Sequence, residues 1–521
     1  ERFSGKASIT AGNYDSKNTQ LVLGNSFKNF GFVTDYFNYS SDGFKDLDGG
    51  GNTGFDKTDY MAKFRVNTNL DAKIYQSLTF KIQYSEENAN ETYLGLTDED
   101  FEENPFRRYR ASAEDVMNAE HQQYQLTHFI RLSPSLDIRT TGYLNRFKRN
   151  WYKLDDVNLG ERVSINNILS SPENFPSEYQ TLLGNEDTQT DVLGIKANNR
   201  TYTSNGIQSI ATLKWGNNLL QSLEAGIRYH EENLTLTPGL RYENITLTRT
   251  DYGTDDPSRT GQDLSIRENE VDVWIPGIGA NYRFSNDLSI FGGVHKGFSP
   301  PSNTPGQNAE ESINYEFGTR FNFKGIQGEL VGFYNDYKNL LGSDLAATGG
   351  TGSLDQFNAG EVRVSGIEFL LNYNLLHKQS SSFQLPLSVS YTLTDTEFLT
   401  SFDSNEDIYG IVTIGDEIPY IAKNQLNASL GLKHRKFDVN VNSRYTSAFR
   451  TKAGSGPIPA NFKVDSNFIV DLSARYFIDE NFTLSSNIIN LFNTTYAVSR
   501  VPAGLRPGHP FGFNFSIEYR F

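Results

Sequence analysis

The sequence predicts an all-β fold, a transmembrane antiparallel up-and-down β-barrel, on three observations. The first is the end of the chain, where Phe511, Phe513, Phe515, Ile517, Tyr519 and Phe521 alternate with Gly512, Asn514, Ser516, Glu518 and Arg520. Strand side chains point to opposite faces with period two, so one face of this segment meets something apolar and the other something wet. The second is repetition. Two alternating segments joined by a very short turn, then a longer polar loop rich in Gly, Asn, Asp and Pro, recur from one end of the chain to the other. The third is composition: hydrophobic residues are 37% of 521 and mean hydropathy is -0.52. No apolar run reaches the roughly 18 residues a helical span requires. A barrel hides apolar residues by alternation, and 28 Tyr and 37 Phe against 3 Trp fit girdles of interfacial rings.

Along the chain, the strand pattern begins by Arg2 to Thr10, with no signal peptide ahead of it. Leu78, Phe80, Ile82 and Tyr84 alternate with Thr79, Lys81, Gln83 and Ser85; Ile313, Tyr315, Phe317, Thr319, Phe321 and Phe323 alternate with Asn314, Glu316, Gly318, Arg320 and Asn322. Phe437, Val439 and Val441 repeat the pattern against Asp438, Asn440 and Asn442. The polar set faces a lumen and the apolar set faces lipid. Tight turns are expected at 28–31, 133–135, 215–218, 284–287, 323–325 and 478–481. Long loops are expected at 43–57, 87–119, 153–203, 250–267, 299–310, 342–356, 398–420, 451–466 and 493–509. Short turns on one rim and long loops on the other match the periplasmic and extracellular rims of a bacterial outer-membrane barrel.

The strand count comes to about 21, whereas a barrel with both ends on the short-turn rim needs an even number. Residues 221–232 and 234–248 both read as running outward. A loop and one strand are therefore expected to be missing near Glu232 and Asn233, from an intended total of about 22. The barrel occupies 1–521 as one domain.

Zero Cys excludes a disulfide framework, a thiolate metal site and a cysteine nucleophile. A net charge of -16 argues against nucleic acid as a partner. No nucleophile elbow or comparable context marks an enzyme, and no cofactor motif is present; Gly292-Gly293 lies inside an alternating strand, where glycine marks curvature or close backbone approach. His121 and His128, seven apart on one strand, lie on opposite faces and form no joint site.

Several motifs in order resemble those of TonB-dependent outer-membrane receptors, and within that family are similar to ferric dicitrate receptors. They are Ser40-Ser41-Asp42-Gly43-Phe44, Glu91-Thr92-Tyr93-Leu94-Gly95-Leu96-Thr97, Pro105-Phe106-Arg107-Arg108-Tyr109, Leu236-Thr237-Pro238-Gly239-Leu240-Arg241-Tyr242-Glu243 and His295-Lys296-Gly297-Phe298-Ser299-Pro300-Pro301. Glu310-Glu311-Ser312-Ile313-Asn314-Tyr315-Glu316, Val364-Ser365-Gly366-Ile367-Glu368 and Asn490-Leu491-Phe492-Asn493 follow. The resemblance implies a barrel of 22 strands filled by an N-terminal plug, preceded by a segment that engages TonB and through it ExbB and ExbD. Glu1 stands at the first barrel strand, so the plug and TonB-binding segment are expected to lie outside this chain. Lipid and lipopolysaccharide surround such a barrel, and its cargo is a ferric chelate.

Arg107, Arg108 and Arg110 sit with Tyr109 in one long loop; Arg146, Arg149 and Trp151 end the strand that follows it, and Arg200 and Tyr202 close the next loop. Guanidinium forks bind carboxylates bidentately, so these residues are the candidate contacts for an anionic chelate such as ferric citrate. The competing reading pairs the same cations with Asp98, Glu99, Asp100, Glu102 and Glu103, or with lipopolysaccharide phosphates. Asp46, Asp48, Asn52 and Asp56 among glycines offer weak calcium candidates, although no bidentate Glu completes a calcium-binding loop. The functions that fit are active import of an iron chelate, a passive porin or secretion channel, an adhesive surface protein, or a receptor for haem, vitamin B12 or a glycan.

Overall fold

A computed structural model describes residues 3–185, 190–213, 229–231, 233–253, 255–301, 305–342, 357–358, 360–376, 382–404 and 408–521. The wall starts with β1 (Ser4–Gly12), β2 (Lys17–Ser26), β3 (Phe30–Ser41), β4 (Phe55–Asn67), β5 (Tyr75–Ala89), β6 (Val116–Ser133), β7 (Leu136–Asn158) and β8 (Leu193–Leu213). It continues through β9 (Tyr229–Glu231), β10 (Leu234–Asp251), β11 (Ser265–Ser285), β12 (Leu288–Ser299), β13 (Glu310–Phe323), β14 (Ile326–Lys338) and β15 (Val362–Asn374). The last strands are β16 (Pro386–Phe398), β17 (Asn424–His434), β18 (Phe437–Thr446), β19 (Asn467–Phe477), β20 (Phe482–Ile489) and β21 (Gly512–Arg520). Among the described residues one sheet joins 22 strands, the wall strands plus Arg162–Ser164, a short piece paired to the top of β7.

The terminal alternation closes this sheet. β21 pairs antiparallel with β1 from Lys6↔Arg520 to Gly12↔Asn514, and with β20 on its other side. Closure removes the free edge, whose unpaired backbone groups lipid has no means to satisfy. Faces follow parity: Tyr60, Phe64 and Val66 of β4 are exposed on the outside, while Lys57, Asp59 and Lys63 face the lumen. At the short-turn rim, outer aromatic rings cluster as Tyr282–Phe284 (4.9 Å between centroids), Phe321–Phe323 (6.0 Å) and Phe482–Tyr519 (4.5 Å). That is the interfacial girdle expected from composition. The turn between β13 and β14 shows how the short rim is made: Lys324 and Gly325 both take positive φ, 51° and 86°, the two-residue hairpin geometry that matches strand twist.

Expected turns at 28–31, 133–135, 284–287, 323–325 and 478–481 fall between paired strands; that at 215–218 lies outside the described residues. The large loop is shorter than expected. Pairing between β7 and β8 continues to Val157↔Leu193, so the loop runs from 159 to 192 rather than 153 to 203, and Arg200 and Tyr202 are strand residues.

The missing-strand expectation also needs correction in part. Tyr229–Glu231 pairs antiparallel with the start of β10, as Tyr229↔Leu236 and Glu231↔Leu234, so β9 runs down to the short-turn rim instead of away from it. β8 runs the same way, and residues 214–228, on which the rest of that expectation falls, lie outside those described.

The long loops carry cores of their own. Tyr93, Leu94, Leu96 and Tyr109 pack with Trp151, Leu154 and Val157 of β7 and with Ile165, Ile168, Leu169 and Leu182 of the following loop. Ala503 joins this cluster, bridged at Leu94↔Ala503 and Leu96↔Leu505. A second cluster unites Val362, Phe398, Ile408, Tyr409, Val412 and Ile418.

Candidate functional site

The loop between β5 and β6 folds around an acidic helix start. In α1 (Asp98–Glu103), Thr97 is the N-cap, its hydroxyl accepting from the Asp100 amide at 3.1 Å, with Asp98, Glu99 and Asp100 in the first turn. Carboxylates are favoured there by the orphan amides and the helix dipole. The next residues, Arg107–Arg108, pair in parallel with Asp46–Leu47 of the loop after β3. Arg107 is consumed by this arrangement: its guanidinium reaches Asp48 at 3.0 Å and Asp100 at 3.0 Å. Arg108, 3% exposed, donates to the Ser112 hydroxyl at 2.9 Å, the Ser112 carbonyl at 2.5 Å and the Asn90 carbonyl. Arg107 therefore pairs with a loop acid as the competing reading described, whereas Arg108 holds the loop together through Ser112 and a backbone carbonyl instead of through an acid.

Tyr109, wholly buried, donates to Asp100 Oδ2 at 2.5 Å, and Tyr179 of α3 (Pro176–Leu183), the helix that follows α2 (Ile165–Ser170), donates to the same oxygen. Burial raises the Asp100 carboxyl, but the hydroxyls of Tyr109, Tyr179 and Thr97 and the charge of Arg107 outweigh it and hold it below the usual range. The same contacts and burial push Tyr179 up to about 12 and Tyr109 higher still. Arg110 is exposed, its stem running past Gly49 and Gly184 and its Nη1 3.5 Å from the Asp48 carbonyl.

The remaining candidates divide by strand parity. Arg146 and Lys148 of β7 are on the outer face, where Lys148 meets Glu120 at 3.6 Å. Arg149 and Trp151 are on the inner face, and cross-strand pairing sets Arg200 beside Arg149 and Tyr202 beside Phe147 on β8. The Arg149 guanidinium lies 5.7 Å from the Trp151 ring, and Arg200 Nη1 is 3.4 Å from the Tyr202 hydroxyl. Phe147 and Tyr202 stack at 6.0 Å, with His121 edge-on to Phe147 at 6.3 Å. Arg149 Nε and Trp151 Nε1 are buried donors with no hydrogen-bond partner. Among the described residues neither Arg149 nor Arg200 forms an ion pair. Lower on the same wall lies a hollow of about 460 Å³ lined by Lys57, Glu87, His121 and Phe147.

This inner patch is built of donors and rings. Two guanidiniums paired in register attract an oxyanion, and the rings of Trp151 on one side and of Phe147 and Tyr202 on the other line the inner rows next to them. The sequence named Arg149, Trp151, Arg200 and Tyr202 but missed Phe147, two residues before Arg149 on the same face, and His121, which only the strand register sets opposite Phe147.

The calcium candidates do not converge. Asp48 is held by Arg107; the Asn52 side chain donates to Asp42 at 2.6 Å and accepts from the Gly54 amide at 2.8 Å; Asp56 sits in the β4 ladder. Among the described residues no group of three His, Cys, Asp or Glu is placed to hold a metal.

Residues 2–491 match the family model described as TonB dependent receptor-like, beta-barrel. The ferrienterobactin receptor of Escherichia coli strain K12 is 22% identical over 422 residues, covering 71% of this chain and 50% of that protein. The vitamin B12 transporter BtuB of Photobacterium profundum is 22% identical over 299 residues, covering 51% and 44%. The chain spans about half the length of these relatives. Among solved structures, the siderophore receptor PiuA from Acinetobacter baumannii superposes with a TM-score of 0.70 at 12% identity, covering all of this chain and 82% of that one. The ferric citrate transporter FecA gives 0.71 at 13% identity, with 78% of that chain covered. At such identities the structural likeness shows the fold, and the family follows from the match over nearly the whole length: the chain belongs to the TonB-dependent receptor β-barrels of the bacterial outer membrane.

Proposed function

We propose that this barrel is the membrane-spanning part of a receptor that imports an anionic iron chelate with energy delivered by TonB. The observation that carries the reading is the inner-face pair Arg149 and Arg200, cations with no acidic partner among the described residues, beside buried donors of Arg149 and Trp151 that no described group meets. Such a patch suits a ligand that brings its own negative oxygens. The relatives add support, since their names include a ferrienterobactin receptor, a siderophore receptor and a ferric citrate transporter. A barrel of this strand number leaves a lumen wide enough to require filling, and a plug pulled through TonB, ExbB and ExbD turns a filled lumen into a gated one.

The test is uptake of radio-iron by cells whose only receptor is the full-length protein, supplied as ferric citrate or ferric enterobactin, with and without TonB. Saturable uptake that disappears with TonB is the expected result. Steady ion conductance of the full-length receptor in a planar bilayer, with no saturable uptake, would assign a passive channel instead.

A further inference from the structure

Gly292-Gly293 belongs to a group of glycines that the import site does not use. Glycine inside a strand forgoes packing and is destabilising relative to alanine, so each one asks for a reason. On the inner face, two have an obvious one. A Cβ at Gly318 would fall 2.6 Å from the Phe291 ring, and one at Gly366 would fall 2.6 Å from the Phe333 ring; these glycines seat a neighbour's aromatic side chain.

Gly239, Gly279 and Gly293 have no such neighbour. A Cβ at Gly239 would meet nothing within 4 Å, one at Gly279 only the Gly292 carbonyl oxygen at 3.9 Å, and one at Gly293 only backbone of β11, at 3.3 and 3.7 Å. None of the three takes a positive φ, so the chain's own conformation does not demand glycine there. Register places them together: Thr237 pairs Gly279, which pairs Gly293, and in the next inner row Gly239 pairs Gly277, which pairs His295. In these two consecutive inner rows across β10, β11 and β12, four of six positions are glycine, and Thr237 and His295 at opposite ends carry the side chains.

The bare floor lies in a hollow of about 760 Å³ that reaches from Thr235 to Phe298. On β10 it spans the inner rows of Thr235, Thr237, Gly239 and Arg241, roughly 20 Å of strand at about 3.4 Å per residue. Packed sheets stand about 10 Å apart, so removing one side-chain layer widens the lumen by roughly 5 Å along this strip. The glycines' amides and carbonyls are engaged in the ladder, so groups able to hold a guest stand only at the edges of the floor, at Thr235, Thr237, Asn281 and His295. At the margin, Arg241 is neutralised by Glu243 at 2.9 Å. A surface with room and little grip is what a passage needs, because a solute held tightly along its route does not leave.

We propose that the Gly239–Gly279–Gly293 floor is the lane on the inner wall along which the chelate crosses the barrel after leaving the arginine patch. The proposal rests on the import reading. The barrel contains no cysteine, so Gly239→Cys and Gly279→Cys each place a single thiol in the lane. Each variant is made in the full-length receptor, assembled in the outer membrane and then labelled with a bulky maleimide, with Ser516→Cys on the inner face of β21 as control. Unlabelled variants, whose small side chain the space accommodates, are expected to import ferric citrate or ferric enterobactin at the wild-type rate. After labelling in the lane, uptake falls about tenfold or more, surface binding of the same chelate changes less than twofold, and the labelled control still imports.

Undiminished uptake after complete labelling overturns the lane while leaving the import reading intact. Labelling that instead makes cells vancomycin-sensitive, or a thiol closed to even a small maleimide in the resting receptor, overturns it in favour of a polypeptide seated on the floor. Wild-type receptor that neither binds nor imports either chelate removes the import reading and the lane together. If Gly279→Cys does not assemble, Gly239→Cys, where the added atom has the most room, carries the same decision.

Discussion

Tyr179 of α3 donates its hydroxyl hydrogen bond to the Asp100 carboxylate of α1, 79 residues earlier, on the oxygen that also accepts from Tyr109. Asp100 thereby joins two long loops, while Arg107 ties the same carboxylate to Asp48 in a third. The loop before β21 is fastened to this group as well, because Arg500 reaches Asp98 at 2.8 Å and Arg506 donates to the Thr92 carbonyl. Much of the rim on this side of the barrel is a single packed body whose hub is one acid.

Replacing that acid should free the loops without unfolding the wall. Asp100→Ala takes the acceptor from three hydroxyls, those of buried Tyr109 and Thr97 and of half-buried Tyr179, at a cost of about 1–3 kcal/mol for each buried one. Limited proteolysis of the variant should cut within 90–115 and 159–192 at least about tenfold faster than wild type, with Tyr179→Phe intermediate. The barrel's heat-resistant migration in detergent gels should be unchanged. Equal cutting rates in all three proteins would show that the apolar cluster alone holds the loops.

The wall was legible in the sequence because lipid on one side and water on the other impose period two on every strand, down to Phe521. Legibility stopped where lipid stops. Between 153 and 158 the apolar residues Leu154 and Val157 are three apart and serve the loop core, and 198–201 are polar throughout, so hydropathy shows no sustained alternation there although the β7–β8 ladder continues. Within the candidate site, parity alone separates Arg146 from Arg149, three residues apart and so on opposite faces. The Arg107–Asp100 pair could be suspected from proximity in sequence. Tyr179 could not, because nothing local links α3 to a carboxylate two loops away.

The two classes of arginine should separate in experiment. Arg149→Ala and Arg200→Ala remove cations that no described acid needs, so each should weaken ferric chelate binding by about 10- to 100-fold, the worth of one or two charge-assisted hydrogen bonds. Loop proteolysis rates should stay at wild-type values. Arg107→Ala should do the reverse first, accelerating proteolysis because Asp48 and Asp100 lose their shared partner. Isothermal titration beside the proteolysis assay distinguishes them; affinity unchanged in both Arg149→Ala and Arg200→Ala would remove the inner patch from the binding site.

The loop body should also respond to pH through Asp115. This carboxylate accepts from Thr92 Oγ1 at 2.6 Å and from the Leu154 amide at 2.7 Å, and burial pushes it up to about 6 despite those donors and the nearby charges of Arg108 and Lys153. A carboxyl raised in the folded state binds its proton more tightly there than in the open loop. Its contribution is fully present below about 4 and is lost as pH rises through about 6. Keeping the charged form in the folded loop costs roughly 3 kcal/mol. Amide exchange in residues 90–115 should be slowest at the acid end of this window after correction for intrinsic rates, and Asp115→Asn should flatten the profile. A wild-type profile as flat as the variant's would mean that the charged form is as well accommodated in the folded loop as in water.

The seam makes the last prediction. Gly5 donates its amide to the Phe521 carbonyl at 2.8 Å and accepts from the Phe521 amide at 3.0 Å, so the final residue contributes the last rung of the closing ladder. Its ring lies over Gly5, where a Cβ would collide with it, and packs near Phe3 and Tyr519 at 5.9 and 5.6 Å. Removing Phe521 exposes backbone groups of β1 at the interface and removes a ring from the girdle, whereas Phe521→Ala keeps the rung and loses only the ring. Deletion should therefore reduce the heat-modifiable fraction in outer membranes more than Phe521→Ala does, and Phe521→Tyr should assemble normally. Gly5→Val, which keeps Phe521 but displaces its ring, should resemble Phe521→Ala. If deletion and Phe521→Ala assemble equally well, the last rung is dispensable and closure rests on the pairs from Lys6↔Arg520 upward.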